Sequence, residues 1–64
     1  MKLLKAKDVS QKTTFSIPHI HRLAREGKFP RPVKLSESRS GWLEEDVNKW
    51  IEACVRGRHL IKDD

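Results

Sequence analysis

The chain has 64 residues and a mass of 7.5 kDa, room for one domain with a modest core. Fourteen Lys and Arg against nine Asp and Glu leave a net charge of +5, and charged and hydrophobic residues each make up 36% of the chain. A single cysteine rules out a disulfide framework, and there is no apolar run of membrane-spanning length and no apolar core of a signal peptide at the N-terminus.

In chain order, the apolar pair Leu3-Leu4 precedes a segment, residues 6–12, that predicts a short helix with Val9 facing inward. Thr13-Thr14-Phe15 reads as a turn. Ser16 is placed to cap a second helix, because its hydroxyl can accept a bond from an orphan amide of the first turn. Pro18 fits that turn, where its missing N–H costs nothing. Ile17, Ile20, Leu23 and Ala24 follow the three- and four-residue spacing of one buried helix face. Pro18, Arg22 and Arg25 then fall opposite, with His19 and His21 on the flanks. Gly27 ends this helix, predicted over residues 17–26, and Pro30 prevents its resumption.

Val33-Lys34-Leu35 and the segment 39–42 alternate around the polar Ser36-Glu37-Ser38, the pattern of a hairpin. A last helix starts near Leu43 or Glu44. Glu44, Glu45 and Asp46 complement the positive end of its dipole, and Leu43, Val47, Trp50, Ile51 and Cys54 form its apolar stripe. Arg56-Gly57-Arg58 closes it, and residues 59–64 are expected to fray as a tail on an ordered core of about 3–56. Helix, turn, helix, hairpin, helix predicts an α+β, mainly helical, single domain with the winged helix-turn-helix order.

The charge is uneven. Residues 1–43 carry a net +7 and residues 44–64 a net −2. Such a field orients a protein on a polyanion, since the summed charge decides which face approaches first. The residues offer nothing for catalysis: there is no nucleophile–base pair, no phosphate-cradling glycine loop and no metal set, and an enzyme is not expected. His19, His21, Cys54 and His59 do not make a zinc site. Helix positions two apart point to different faces, and no Cys-x-x-Cys pair is present. Trp42 and Trp50 read as core anchors rather than stacking platforms, because a domain this small needs large side chains to bury enough area.

Five pieces in order carry a family resemblance: Leu3-Leu4, Ser16-x-x-x-Ile20-x-Arg22-Leu23, Gly27-x-Phe29-Pro30-x-Pro32-Val33-Lys34-Leu35, Gly41-Trp42 and Val47-x-x-Trp50-Ile51. Together, over residues 3–52, they resemble the AlpA family of phage and prophage regulators. The resemblance implies a MerR-like winged helix and a cytoplasmic, nucleoid-associated protein that binds double-stranded DNA. It needs no cofactor, small-molecule substrate or membrane. Members activate integrase or excision genes, and close relatives are excisionases that bend attachment-site DNA. An integrase, or further copies of the chain on repeated sites, are the partners it allows. Three departures stand in the chain: Thr14 where the family commonly has Gly, Ile17-Pro18-His19 where Arg-Ser-Thr is typical, and His21 in place of a Tyr. The base-reading surface is therefore this chain's own.

On this reading the second helix enters the major groove and presents Ser16, Ile17, Pro18, His19 and Arg22, with Arg22 on guanine and helix-start amides on a phosphate. Arg25 and Lys28 hold phosphate at the far end. Lys34, Ser38 and Arg39 act from the wing, on the backbone or in a narrowed minor groove. The rival from another class is a protein-interaction adaptor that binds an integrase, a polymerase subunit or a response regulator through the outer face of the last helix, at Glu45, Asp46, Lys49 and Glu52.

Overall fold

A computed structural model describes residues 1–57. The predicted tail, His59 included, and Arg58 before it lie outside the described residues. The elements run β1 (Leu3–Leu4), α1 (Ala6–Thr13), α2 (Ile17–Arg25), β2 (Val33–Lys34), β3 (Ser40–Leu43) and α3 (Glu44–Val55). This is the α+β order of a winged helix-turn-helix, with the β2–β3 hairpin as the wing.

The sheet holds one strand more than the predicted hairpin. Its order is β1-β3-β2, and both pairings are antiparallel. Leu3 lies opposite Leu43 and Leu4 opposite Trp42, so Leu4 points into the core and Leu3 stays exposed. A pair of leucines is too short to show the alternation that marks a strand. Gly41 sits in the middle strand, where an added Cβ would lie 3.1 Å from the Leu4 carbonyl oxygen. A glycine at this point lets the N-terminal strand close onto the hairpin.

The turn between α1 and α2 carries the one left-handed non-glycine residue among those described, Thr14 at φ 68°. Three neighbours hold it there. The Thr14 N–H donates to the Ser10 carbonyl at 2.8 Å, Thr13 Oγ1 donates to the Val9 carbonyl at 2.9 Å, and Ser10 Oγ donates to the Phe15 carbonyl at 2.6 Å. A β-branched residue in this region costs roughly 1–2 kcal/mol, and glycine avoids that cost while losing some unfolded-state entropy. Thr14→Gly is therefore expected to raise the unfolding free energy by roughly 0.5–1 kcal/mol. A chemical denaturation curve with an unchanged slope would show it, and a lower midpoint would refute it.

The core gathers Leu4, Val9, Ile20, Leu23, Phe29, Trp42 and Val47, with Ala6, Phe15, Trp50 and Ile51 packed against it. Trp42 is fully enclosed, as expected of an anchor, and Trp50 is half-buried. Two expectations need correction. Ile17 is 39% exposed rather than part of the buried stripe, because the first turn of α2 projects beyond the core. Cys54 is half-buried rather than enclosed, and this burial pushes its thiol pKa up from the ordinary value. Lys12 ties α1 to α3, donating to Asn48 Oδ1 at 2.7 Å and lying 3.8 Å from Glu44.

Candidate nucleic-acid interface

The site is built on α2 and on the segment that leads from it to the wing. Ser16 caps the helix, its hydroxyl accepting the His19 amide at 3.3 Å. The other end closes in a Schellman arrangement. The Lys28 N–H donates to the Leu23 carbonyl at 2.8 Å and the Gly27 N–H to the Ala24 carbonyl at 3.2 Å, with Gly27 at φ 77°. Both ends are thus set by local chemistry, and the buried face of Ile20, Leu23 and Ala24 sets the rotation. Pro18, Arg22 and Arg25 are left on the open side, all exposed.

The path from α2 to the wing is fixed by the two indoles. Trp50 Nε1 donates to the Lys28 carbonyl at 2.9 Å and Trp42 Nε1 to the Pro30 carbonyl at 2.8 Å. Phe29 is buried between these points, edge-on to Trp50 at 4.8 Å between ring centroids. Trp42 from within the core and Trp50 from its edge therefore pin the segment that spaces α2 from β2. Beyond it, the N–H groups of Leu35 and Ser36 both donate to the Arg39 carbonyl, at 2.9 and 3.1 Å, and close the wing tip.

The structure sorts the expected site residues into groups. Arg22 and Arg25 stand on the open face of α2. Lys34, Ser38 and Arg39 line one hollow on the wing, shared with Glu37. Among the described residues no carboxylate pairs with Arg22, Arg25, Lys34 or Arg39, so neither Glu37 nor the acidic start of α3 neutralises Arg39. Lys28 instead lies 3.5 Å from Glu26, both well exposed, a contact worth little in water.

His19 is set aside from the open face. It is half-buried, its ring 4.6 Å from that of Phe15. The first turn also has less to offer an anion than the sequence suggests. Pro18 has no N–H, the His19 amide is taken by Ser16, and the Ile20 amide donates to the Ser16 carbonyl at 3.0 Å. Only the Ile17 amide remains.

Two residues were missed. His21 and Arg31 line a groove of about 420 Å³ together with Ala24, Arg25 and Pro32, where the chain passes from α2 to β2. The signal available was the Pro30-Arg31-Pro32 triplet, which holds an arginine on stiff, extended backbone.

Among the described residues no three His, Cys, Asp or Glu side chains are grouped to hold a metal ion. No helix among them is long and apolar enough to cross a membrane.

The fold is that of a small winged helix-turn-helix, with exposed arginines and lysines on α2 and the wing that have no carboxylate partner among the described residues. A family model described as prophage CP4-57 regulatory protein (AlpA) matches residues 2–55, and the chain belongs to that family of phage-type regulatory proteins. Neither a curated protein nor a solved structure matches the chain.

Proposed function

We propose that the chain is a sequence-specific double-stranded DNA-binding regulator of the phage type, with α2 in the major groove and the β2–β3 wing on the adjacent backbone or minor groove. The observation that supports it best is the set of arginines and lysines on α2 and the wing that lack a carboxylate partner among the described residues. Cations left unpaired on a rigid frame are the electrostatic footprint of a phosphate backbone. Arg22 reads bases, its planar fork matching the two acceptors on the guanine edge. Arg25, Lys34, Ser38 and Arg39 position the duplex by its backbone. Ser16 serves as the cap that sets the helix, and Ile17 and Pro18 form an apolar leading edge suited to contact with a thymine methyl. A domain of this size makes few contacts, so several copies on repeated sites, or an integrase, complete the affinity.

The test is selection of a labelled duplex pool by the purified protein, then titration of the enriched duplex across a salt series. With about five phosphates neutralised, log K is expected to fall with log[salt] at a slope near −4.5. An enriched motif together with that slope supports the reading. Binding without enrichment, at a flat slope, overturns it in favour of an adaptor working through the α3 face. Bending of the enriched duplex, read by its gel mobility as the site is moved along the fragment, separates an excisionase from a regulator that binds straight DNA.

A further inference from the structure

We propose that the groove lined by His21, Arg25 and Arg31 is a phosphodiester clamp, which seats the single DNA strand lying between α2 and the wing. It rests on the DNA-binding reading above and adds two residues, His21 and Arg31, that the recognition surface did not include. The groove holds about 420 Å³ and is floored by the buried Ala24, with Pro32 as its far wall.

A helix in the major groove and a wing in the neighbouring minor groove dictate the geometry. Adjacent grooves of a duplex are separated by one sugar–phosphate strand. A protein that occupies both straddles that strand, and the straddled phosphates face whatever joins helix to wing. Here the joining segment is residues 26–32, and the groove lies along it.

Its walls are held in place. Pro30 and Pro32 fix their own φ, and Pro32 restricts Arg31 before it to extended backbone, while the Trp42 indole holds the Pro30 carbonyl at 2.8 Å. On the other wall, the His21 ring lies against Trp42 with centroids 5.6 Å apart, and Arg25 stands one helical turn further on. Among the described residues neither Arg25 nor Arg31 has a carboxylate partner. Two guanidinium forks and an imidazole N–H facing one groove suit a phosphate oxygen pair, which accepts bidentate donors. The C-terminal end of α2 opposes an anion through its dipole. That opposition is weak here, because the Schellman bonds already satisfy the Leu23 and Ala24 carbonyls and two arginines line the groove.

The experiment pairs Arg31→Gln with single methylphosphonate substitutions scanned along a duplex that the wild-type protein selects. Arg31→Gln is expected to weaken selected and scrambled duplexes alike by about tenfold and to flatten the salt slope by about 0.9, with the selected motif unchanged. At one scanned position, removing the phosphate charge weakens the wild type by a similar factor and leaves Arg31→Gln unaffected, the signature of a direct pair. Arg31→Lys keeps the slope, which separates a charge contact from a structural role. Melting curves of both variants should match the wild type, since Arg31 is exposed.

If Arg31→Gln keeps the wild-type slope and affinity while Arg22→Ala still loses the motif, the clamp is wrong and the DNA-binding reading stands. A wild type that shows no salt-dependent duplex binding overturns both.

Discussion

Replacing Arg22 by Ala is expected to abolish selection of a preferred duplex while leaving the fold intact. Arg22 is exposed on the open face of α2, one turn beyond Pro18 and one before Arg25. Its side chain has no carboxylate partner among the described residues, and its backbone carbonyl keeps accepting the Glu26 N–H at 3.0 Å whatever the side chain. The substitution therefore removes no internal hydrogen bond or ion pair among the described residues, and stability should stay within about 0.5 kcal/mol of the wild type. A bidentate guanine contact carries roughly 1–3 kcal/mol of discrimination, so the ratio of specific to scrambled binding should fall by a factor of about 5 to 150. Arg22→Lys should behave more like Ala than like Arg in that ratio, because an ammonium cannot address both guanine acceptors with a planar fork. It should nonetheless keep the salt slope, because its charge remains. Affinity for the selected and the scrambled duplex, measured side by side for the three proteins, gives the result. An Arg22→Ala ratio equal to the wild type would remove Arg22 from base reading and place specificity on Ile17, Pro18 or the wing.

The parts of the fold that were legible in the sequence are those written by local chemistry. Ser16, Pro18 and Gly27 mark the ends of α2 because capping and φ preferences act within a few residues. The spacing of Ile20, Leu23 and Ala24 fixes its buried side, and with it the outward face of Arg22 and Arg25. The features that were not legible depend on partners distant in the chain. Leu3-Leu4 becomes a strand only because Leu43 and Trp42 lie opposite it, some forty positions away. His19 obeys the helical period but turns aside because the Phe15 ring stands beside it. In the sequence Arg31 shows only as one of the charges of residues 1–43, since its neighbours in the groove are supplied by α2. The wing could be located from its alternation, yet its distance from α2 could not, because that distance is set by the Trp42 and Trp50 indoles acting on the Pro30 and Lys28 carbonyls.

Those indoles underlie the second large effect. Trp42→Ala is expected to leave the chain unfolded or nearly so at 37 °C. Trp42 is 1% exposed and the largest of the fully buried side chains. Truncating such a residue costs roughly 3–5 kcal/mol, and a chain of 64 residues has a total stability of only about 3–10 kcal/mol. Loss of the cooperative thermal transition by circular dichroism would show it. A Tm lowered by only a few degrees would mean that the core closes over the gap. Trp42→Phe isolates the second role of this residue. The ring remains in the core, the donor to the Pro30 carbonyl is lost, and the variant should fold with a cost of about 1–3 kcal/mol. Measured well below its Tm, that folded variant should still bind duplex DNA several-fold more weakly than the wild type, although Trp42 is too deeply buried to touch DNA. The physical reason is that residues 28–32 are then free to shift, so α2 and the wing no longer hold one spacing, and ordering them on the duplex costs part of the binding free energy. Wild-type affinity in folded Trp42→Phe would mean that the packing of Phe29 and the prolines alone sets the spacing, and that the indole bond serves stability only.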